Sequence, residues 1–232
     1  TGSTDPQGDP LITMNDGKWH HIVGVYDGTE TVELYTDGVL QGTNTSAGHG
    51  AINTTTRTVI GGYNNSDTIS IGAGAWNGDL SNAQIWNTNL SSAEVVSLYN
   101  NGVPLLTGTQ PETANLKAWY KLNVDTSTWD GSDWIIGNST ANYTTALNFR
   151  GSPIDYITMG DVLTQDGSTA FSISCRIKYT GAGTQMIVSK QDASGYGYLL
   201  HTGNHAGVKL TWYPCISAGG NIAVRTSNAY ND

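Results

Sequence analysis

Short runs of alternating hydrophobic and polar residues recur along the chain. In residues 18–26, Trp19, His21, Val23 and Val25 share one face of an extended segment, and His20, Ile22, Gly24 and Tyr26 share the other. Similar runs predict strands at 31–43, 57–62, 68–71, 80–87, 116–122, 145–149, 155–159, 171–179, 185–190, 196–201, 208–213 and 221–226. Many short strands separated by Gly and Asn turns predict an antiparallel sandwich or jelly roll.

Two local signals fix the positions of a hairpin and a helix. Asp37-Gly38 lies inside the 31–43 run and predicts a tight hairpin turn. Ser91 and Glu94 have the spacing of a capping box, which predicts a helix whose apolar face contains Val95, Val96, Leu98 and Tyr99. Asn101-Gly102 predicts a left-handed end to this helix.

Composition narrows the class of protein. Only 12% of residues are charged, there are 29 Gly, and the formal net charge is −9. Low charge with abundant Gly disfavours helical bundles, and an acidic chain without basic runs disfavours nucleic acid as a partner. No apolar stretch approaches the roughly 20 residues of a membrane span, so membrane insertion is not expected. The chain is predicted to be an all-β, secreted-type globular protein.

Cysteines and histidines leave alternatives open. Cys175 and Cys215 both lie in predicted strands, so they form either one disulfide or two buried free thiols. His20 and His21 point to opposite faces and cannot chelate one metal together, so packing and hydrogen bonding are their expected roles. His201 and His205 flank a predicted turn and are either a zinc or pH-sensitive pair or exposed hairpin residues.

Several segments resemble the laminin-G-like, concanavalin A-like lectin/glucanase superfamily. Residues 15–43, NDGKWHHIVGVYDGTETVELYTDGVLQGT, resemble the central signature of this family. Residues 78–102 resemble its final strand and closing helix, whereas 116–161 and 171–179 resemble its first strands. The resemblance implies a concanavalin A-like jelly-roll sandwich with one short helix.

The order of these segments departs from that family. Residues 1–102 correspond to its second half, 103–114 form a linker, and 115–232 correspond to its first half. The Asn15-Asp16 dipeptide recurs 216 residues later as Asn231-Asp232. The chain is therefore either a circular permutant whose halves close into one domain, the favoured interpretation, or a window cut across a tandem array. Residues 5–16 and 219–232 would compete for one place in a sheet, which indicates possible self-association by strand exchange.

Carboxylates do not have the pattern of a glycosidase. Family glucanases place carboxylates at i, i+2 on one strand, so that they point together at the sugar. The chain has only four Glu, and no two have this spacing. Glu94 belongs to the capping box, Glu112 lies in the linker, and Glu30 and Glu33 would face opposite ways. We therefore expect no enzymatic activity.

Polar loops contain the candidate binding residues. The resemblance implies Ca²⁺ as a possible cofactor, and Asp125, Asp155 and Asp161 are candidate ligands because calcium prefers oxygen donors. Sugar binding needs an aromatic face beside hydrogen-bonding groups. Loop 125–140 offers these in Trp129, Asp130, Asp133 and Trp134, and a second candidate site contains Tyr63 and Asn64. The tryptophans on strands, Trp19, Trp86, Trp119 and Trp212, are expected to pack in the interior.

The favoured function is non-catalytic. The Thr-, Asn- and Gly-rich composition and the helix motif resemble those of domains appended to virus particles and bacterial adhesins. This resemblance implies an extracellular module for adhesion or decoration that binds a glycan or surface receptor. Two alternatives are a purely structural, strand-exchanging surface, capsid or tail protein and an accessory carbohydrate-binding domain of a polysaccharide-degrading enzyme. The expected location is extracellular, on a cell surface or a virus particle.

Overall fold

A computed structural model describes most of the chain. The described residues are 14–45, 56–65, 68–70, 74–105, 109–122, 127–129, 134–136, 147–150, 155–159, 169–179, 181, 183–192, 196–204, 208–217 and 220–226. Within them two large antiparallel sheets face each other, and one short helix lies on the outside of one sheet. The all-β sandwich with a single short helix, predicted from the sequence, is confirmed.

The first large sheet has seven strands. The strands of this sheet are β1 (Trp19–Tyr26), β2 (Thr31–Thr36), β3 (Val39–Thr45), β7 (Asn77–Trp86), β8 (Leu116–Tyr120), β11 (Leu147–Arg150) and β13 (Phe171–Tyr179). Their order across the sheet is β11-β7-β13-β1-β2-β3, and β8 also pairs with β7. Asp37 and Gly38 join β2 to β3 with positive φ angles of 51° and 80°, so the hairpin turn lies where the sequence predicts it.

The second large sheet has six strands: β4 (Val59–Ile60), β12 (Ile157–Thr158), β14 (Gln185–Gln191), β15 (Gly197–Asn204), β16 (Val208–Ser217) and β17 (Gly220–Arg225). Their order across the sheet is β12-β4-β14-β15-β16-β17. Two small ladders accompany the sandwich: β5 (Tyr63–Asn65) with β6 (Thr68–Ser70), and β9 (Ser127–Trp129) with β10 (Trp134–Ile136).

Both large sheets contain strands from both halves of the sequence. In the seven-stranded sheet, β13 pairs with β1 on one side and with β7 on the other. In the six-stranded sheet, β4 lies between β12 and β14. Residues of the predicted linker also contact the sheet, since Leu105 packs near the helix and the Trp86 indole donates a hydrogen bond to the Pro111 carbonyl at 3.0 Å. Whether the chain is a natural permutant or a window of an array stays a prediction.

One hydrophobic core fills the space between the sheets. It contains residues of the seven-stranded sheet such as Ile22 and Ile173 together with Leu200 and Trp212 of the six-stranded sheet. The sheets approach closely at Gly24, where a Cβ atom would lie 2.6 Å from the Trp212 ring. Cys175 is a buried free thiol in this core, and burial raises its pKa, as expected for an inert cysteine.

The helix α1 (Ser92–Tyr99) begins with the predicted capping box. The Ser91 hydroxyl accepts the Glu94 N–H, and the Glu94 carboxylate accepts the Ser91 N–H. The helix ends one residue earlier than predicted, because Asn100 already has a left-handed conformation and 100–102 form a 3₁₀ turn. In the described part of the chain no helix is long and apolar enough to cross a membrane.

Candidate functional site

The outer face of the seven-stranded sheet is only partly covered by α1. Val23 and Val25 of β1 pack with Val95 and Leu98 of the helix in a second, smaller apolar cluster. The part of the sheet that the helix covers ends at the next pair of opposite residues, His21 and Arg176. There the His21 ring stacks on Tyr99 with centroids 6.1 Å apart. In the same row, Arg176 donates hydrogen bonds to the carbonyls of Tyr99 and Gly102 and so holds the end of the helix.

Beyond this row the strands present an uncovered line of four side chains. The register places Trp19 opposite Lys178, Lys178 opposite Asp79, and Asp79 opposite Asn148. Directly opposite residues in an antiparallel sheet share one face, and the alternate residues Leu80, Leu147 and Ile177 lie in the core. All four side chains therefore point outward, and we call them the outer row.

Contacts within the outer row centre on Asp79. The Asn148 amide donates a hydrogen bond to the Asp79 carboxylate at 2.6 Å, and the Lys178 ammonium lies 3.9 Å from the other carboxylate oxygen. The side chains of Lys178 and Asp79 are 41% and 26% exposed, and Trp19 is 42% exposed. The row therefore combines an accessible indole with an ammonium, a carboxylate and an amide.

A small cleft lies next to the Asn148 end of the outer row. Its volume is about 150 Å³, and Asn148, Arg150, Asp155 and Tyr156 supply its polar lining. The Arg150 Nε donates to Asp155 Oδ2 at 2.9 Å, and Arg150 Nη2 donates to Asp155 Oδ1 at 3.1 Å. These hydrogen bonds lower the pKa of Asp155, so its carboxylate is ionised at neutral pH.

The signature histidines hold the turn of the β2–β3 hairpin against β1. The His20 ring lies 2.7 Å from an Asp37 carboxylate oxygen and 3.1 Å from one of Asp16. Burial alone would lower the pKa of His20, but these two carboxylates outweigh it and raise the pKa above the usual 6.5. His21 is buried on the opposite face, where burial and the nearby Arg176 lower its pKa to about 3. Packing and hydrogen bonding are the roles that the sequence predicts for both.

The structure describes the main predicted sugar site only in part. Trp129 and Trp134 occupy directly opposite positions in the β9–β10 ladder. Asp130 and Asp133 lie outside the described residues, as does the predicted metal ligand Asp125. The register brings the two tryptophans to one place in the backbone, and their role in binding stays a prediction.

The second predicted sugar site does not present its amide to solvent. Asn64 is fully buried, its N–H donates to the Ser189 hydroxyl, and its side-chain amide donates to the Arg57 carbonyl. It therefore anchors the β5–β6 hairpin to β14, which corrects its prediction as a ligand-binding residue. Tyr63 is half-buried, and its hydroxyl donates a hydrogen bond to the Gln191 side chain.

Of the predicted metal ligands only Asp155 is described, so whether the three come together stays a prediction. Asp155 pairs with Arg150, Asp161 lies outside the description, and no group of three or more His, Cys, Asp or Glu side chains there could hold a metal ion. An Asp155 already paired with a guanidinium does not fit a calcium site. Of the predicted histidine pair, only His201 is described: it is buried, stacks on Tyr213, and its Nδ1 lies 2.8 Å from the Thr202 carbonyl.

The interior role predicted for the strand tryptophans is correct for Trp86 and Trp212 and wrong for Trp19. The first two are fully buried and Trp119 is half-buried, whereas Trp19 is the most exposed aromatic side chain described. Alternation correctly places Trp19 on the same face as Val23 and Val25. The prediction for Trp19 is wrong because the helix covers only part of that face, which the alternating pattern does not show.

Comparison with known proteins places part of the chain in a described family model. Residues 2–96 match a laminin G family model described as the concanavalin A-like lectin/glucanases superfamily. No curated protein and no solved structure matches the chain. The matched segment contains Trp19 and Asp79 of the outer row, and the second half of the sequence supplies Lys178 and Asn148.

Proposed function

We propose that this chain, whose residues 2–96 match the model of the concanavalin A-like lectin/glucanase superfamily, is a non-catalytic carbohydrate-binding module. The observation that supports this function is the outer row, in which the exposed Trp19 lies opposite Lys178 and in one line with Asp79 and Asn148. An indole offers a rigid apolar surface on which a sugar ring can stack. The ammonium, carboxylate and amide supply donors and acceptors for sugar hydroxyls.

The positions of the glutamates support a role without catalysis. The Glu33 carboxylate accepts a hydrogen bond from the Tyr35 hydroxyl at 2.7 Å, Glu94 completes the capping box, and Glu112 accepts a hydrogen bond from the Asn115 amide. Each of these carboxylates has a local structural role. Glycoside hydrolysis instead needs two carboxyl groups that flank one bond of the substrate.

An extracellular setting is part of the proposal. The adhesin-like composition of the sequence and the outer row both suit a module displayed on a cell surface or virus particle. A module of this kind either attaches its carrier to a glycan or brings a polysaccharide-degrading enzyme to its substrate. In both cases the chain itself only binds the sugar.

The test is a glycan array printed with neutral and acidic oligosaccharides. We expect signal from the unmodified protein, loss of that signal in Trp19→Ala, and full signal in Lys117→Ala, a control that removes an exposed lysine from β8. If Trp129→Ala and Trp134→Ala abolish the signal while Trp19→Ala does not, the function holds and the site lies at the β9–β10 ladder. An unmodified protein that binds no glycan contradicts the proposal.

The competing structural function has its own readout. A strand-exchanging surface, capsid or tail protein would show a solution mass that grows with concentration and would give no signal on the array. A monomer that binds sugar excludes that function.

A further inference from the structure

The outer row and the neighbouring cleft lie along one line across the seven-stranded sheet. The row crosses β1, β13, β7 and β11 in turn, and the cleft begins at Asn148 on β11. Neighbouring strands are about 4.8 Å apart, so Trp19 and Asn148 are separated by about 14 Å. A ligand that contacts both ends must be extended.

The two ends of this line offer different chemistry. Trp19 provides an exposed aromatic surface without hydrogen-bonding groups other than its indole N–H. At the other end, Arg150, Asp155 and Asn148 line a cleft of about 150 Å³. Pockets that enclose a whole small ligand usually have volumes of about 300–1,000 Å³, so this cleft has room for only one end of a longer molecule.

The charges along the line cancel. Lys178 lies near Asp79, and Arg150 forms two side-chain hydrogen bonds with Asp155, which gives two cations and two carboxylates. The whole chain adds a net charge of −9. The negative charge of the chain and the two carboxylates would repel a polyanionic glycan. They would not repel a neutral glycan.

The fold keeps the polar groups in place before a ligand arrives. Asp79 is held from both sides by Asn148 and Lys178, and Arg150 is fixed to Asp155 through its backbone N–H as well as its side chain. Among the described residues, Lys178 contacts Asp79 and the Arg150 side chain contacts Asp155, which leaves further N–H donors of both side chains for a ligand. Groups that are already ordered lose little entropy on binding.

From these observations we infer that the outer row and the cleft form one extended site for a neutral linear oligosaccharide, with one sugar stacked on Trp19 and a terminal sugar in the cleft beside Arg150 and Asp155. This inference rests on the proposed carbohydrate-binding function and specifies the ligand of the same site. A monosaccharide can occupy only one end. Affinity must therefore rise with chain length until the ligand reaches from Trp19 to the cleft.

The test measures affinity against ligand length by isothermal titration calorimetry. The probes are glucose and mannose, and their β-1,4- and α-1,4-linked oligomers of two to six units, with oligogalacturonides of the same lengths as the anionic series. We expect a neutral series to gain at least about tenfold in affinity between the single sugar and the longer oligomers, and the anionic series to bind more weakly.

Two variants separate the ends of the site. Arg150→Ala changes a side chain that is 73% exposed, so it is expected to fold. It should reduce the affinity for long oligomers to that for short ones, whereas Trp19→Ala should weaken both by about tenfold, and Lys117→Ala should change neither.

The outcomes distinguish this inference from the proposed function. If the array shows glycan binding but none of the neutral series binds, or if affinity does not depend on length, the extended site is wrong and the carbohydrate-binding function stands. Preferred binding of oligogalacturonides also overturns it. If neither the array nor the calorimetry detects glycan binding, the proposed function itself is wrong.

Discussion

At the scale of single residues, His21 makes the free energy of unfolding of this protein depend on pH. The ring is fully buried, its Nε2 lies 2.8 Å from the Ser174 hydroxyl, and its Nδ1 has no hydrogen-bond partner among the described residues. Burial lowers its pKa from 6.5 to about 3. The folded state therefore needs neutral His21, and its stability is complete above pH 6.5 and is lost as the pH falls toward 3.

The measurement is urea unfolding of the unmodified protein and His21→Gln at pH 7 and pH 4. Protonation of His21 in the unfolded chain should cost the unmodified protein roughly 3 kcal/mol between these values, since one pKa unit corresponds to about 1.4 kcal/mol. A glutamine does not titrate, so the variant should lose clearly less. Equal losses in the two proteins would show that His21 is not the acid-sensitive group.

His20 is a matched control because its pKa shifts in the opposite direction. Its folded pKa is raised by Asp37 and Asp16, so its contribution is complete below pH 6.5 and is lost as the pH rises through the raised value. His20→Gln should therefore leave the loss between pH 7 and pH 4 largely in place. Two adjacent residues on one strand thus respond to pH in opposite ways because they face opposite sides of the sheet.

At the scale of elements, the helix α1 controls how much of the outer sheet face is covered. Its capping box satisfies the first backbone N–H groups, and Ser91→Ala removes the hydroxyl that accepts the Glu94 N–H. We expect a loss of about 1 kcal/mol in the free energy of unfolding. Ser92→Ala, at the exposed next position, is the control and should cost much less. Chemical denaturation measures both, and equal losses would show that the box does not stabilise the helix.

Local elements could be predicted from the sequence, and the outer row could not. The capping box spans four residues and the hairpin turn at Asp37-Gly38 spans two, so their geometry depends on neighbours in the chain. The outer row depends on pairing between β1, β13, β7 and β11, whose residues are up to about 160 positions apart in the sequence. The alternation of hydrophobic and polar residues within one strand does not show which residues of another strand lie opposite it. The exposure of Trp19 depends, in addition, on where a helix from another segment ends.

At the scale of the whole molecule, the two halves of the sequence complete each other. β13 from the second half lies between β1 and β7 from the first half, and β4 from the first half lies between β12 and β14 from the second. Residues 1–102 alone would therefore expose the unpaired edges of β1 and β7 and half of the hydrophobic core. Residues 115–232 alone would lack the strands on both sides of β13.

We therefore expect the two halves, produced as separate chains of residues 1–102 and 115–232, to be unfolded or aggregated individually and to form a β-rich complex when mixed. Circular dichroism and the dispersion of NMR amide signals would detect this gain. Trp212→Ala in the second fragment should prevent assembly, because its ring packs against Gly24 of the first. If either fragment folds alone into a stable monomer, each half has its own core and the interleaved sheets do not describe the protein in solution. If the mixture assembles, the outer row forms only when both halves are joined, and sugar binding should appear only in the mixture.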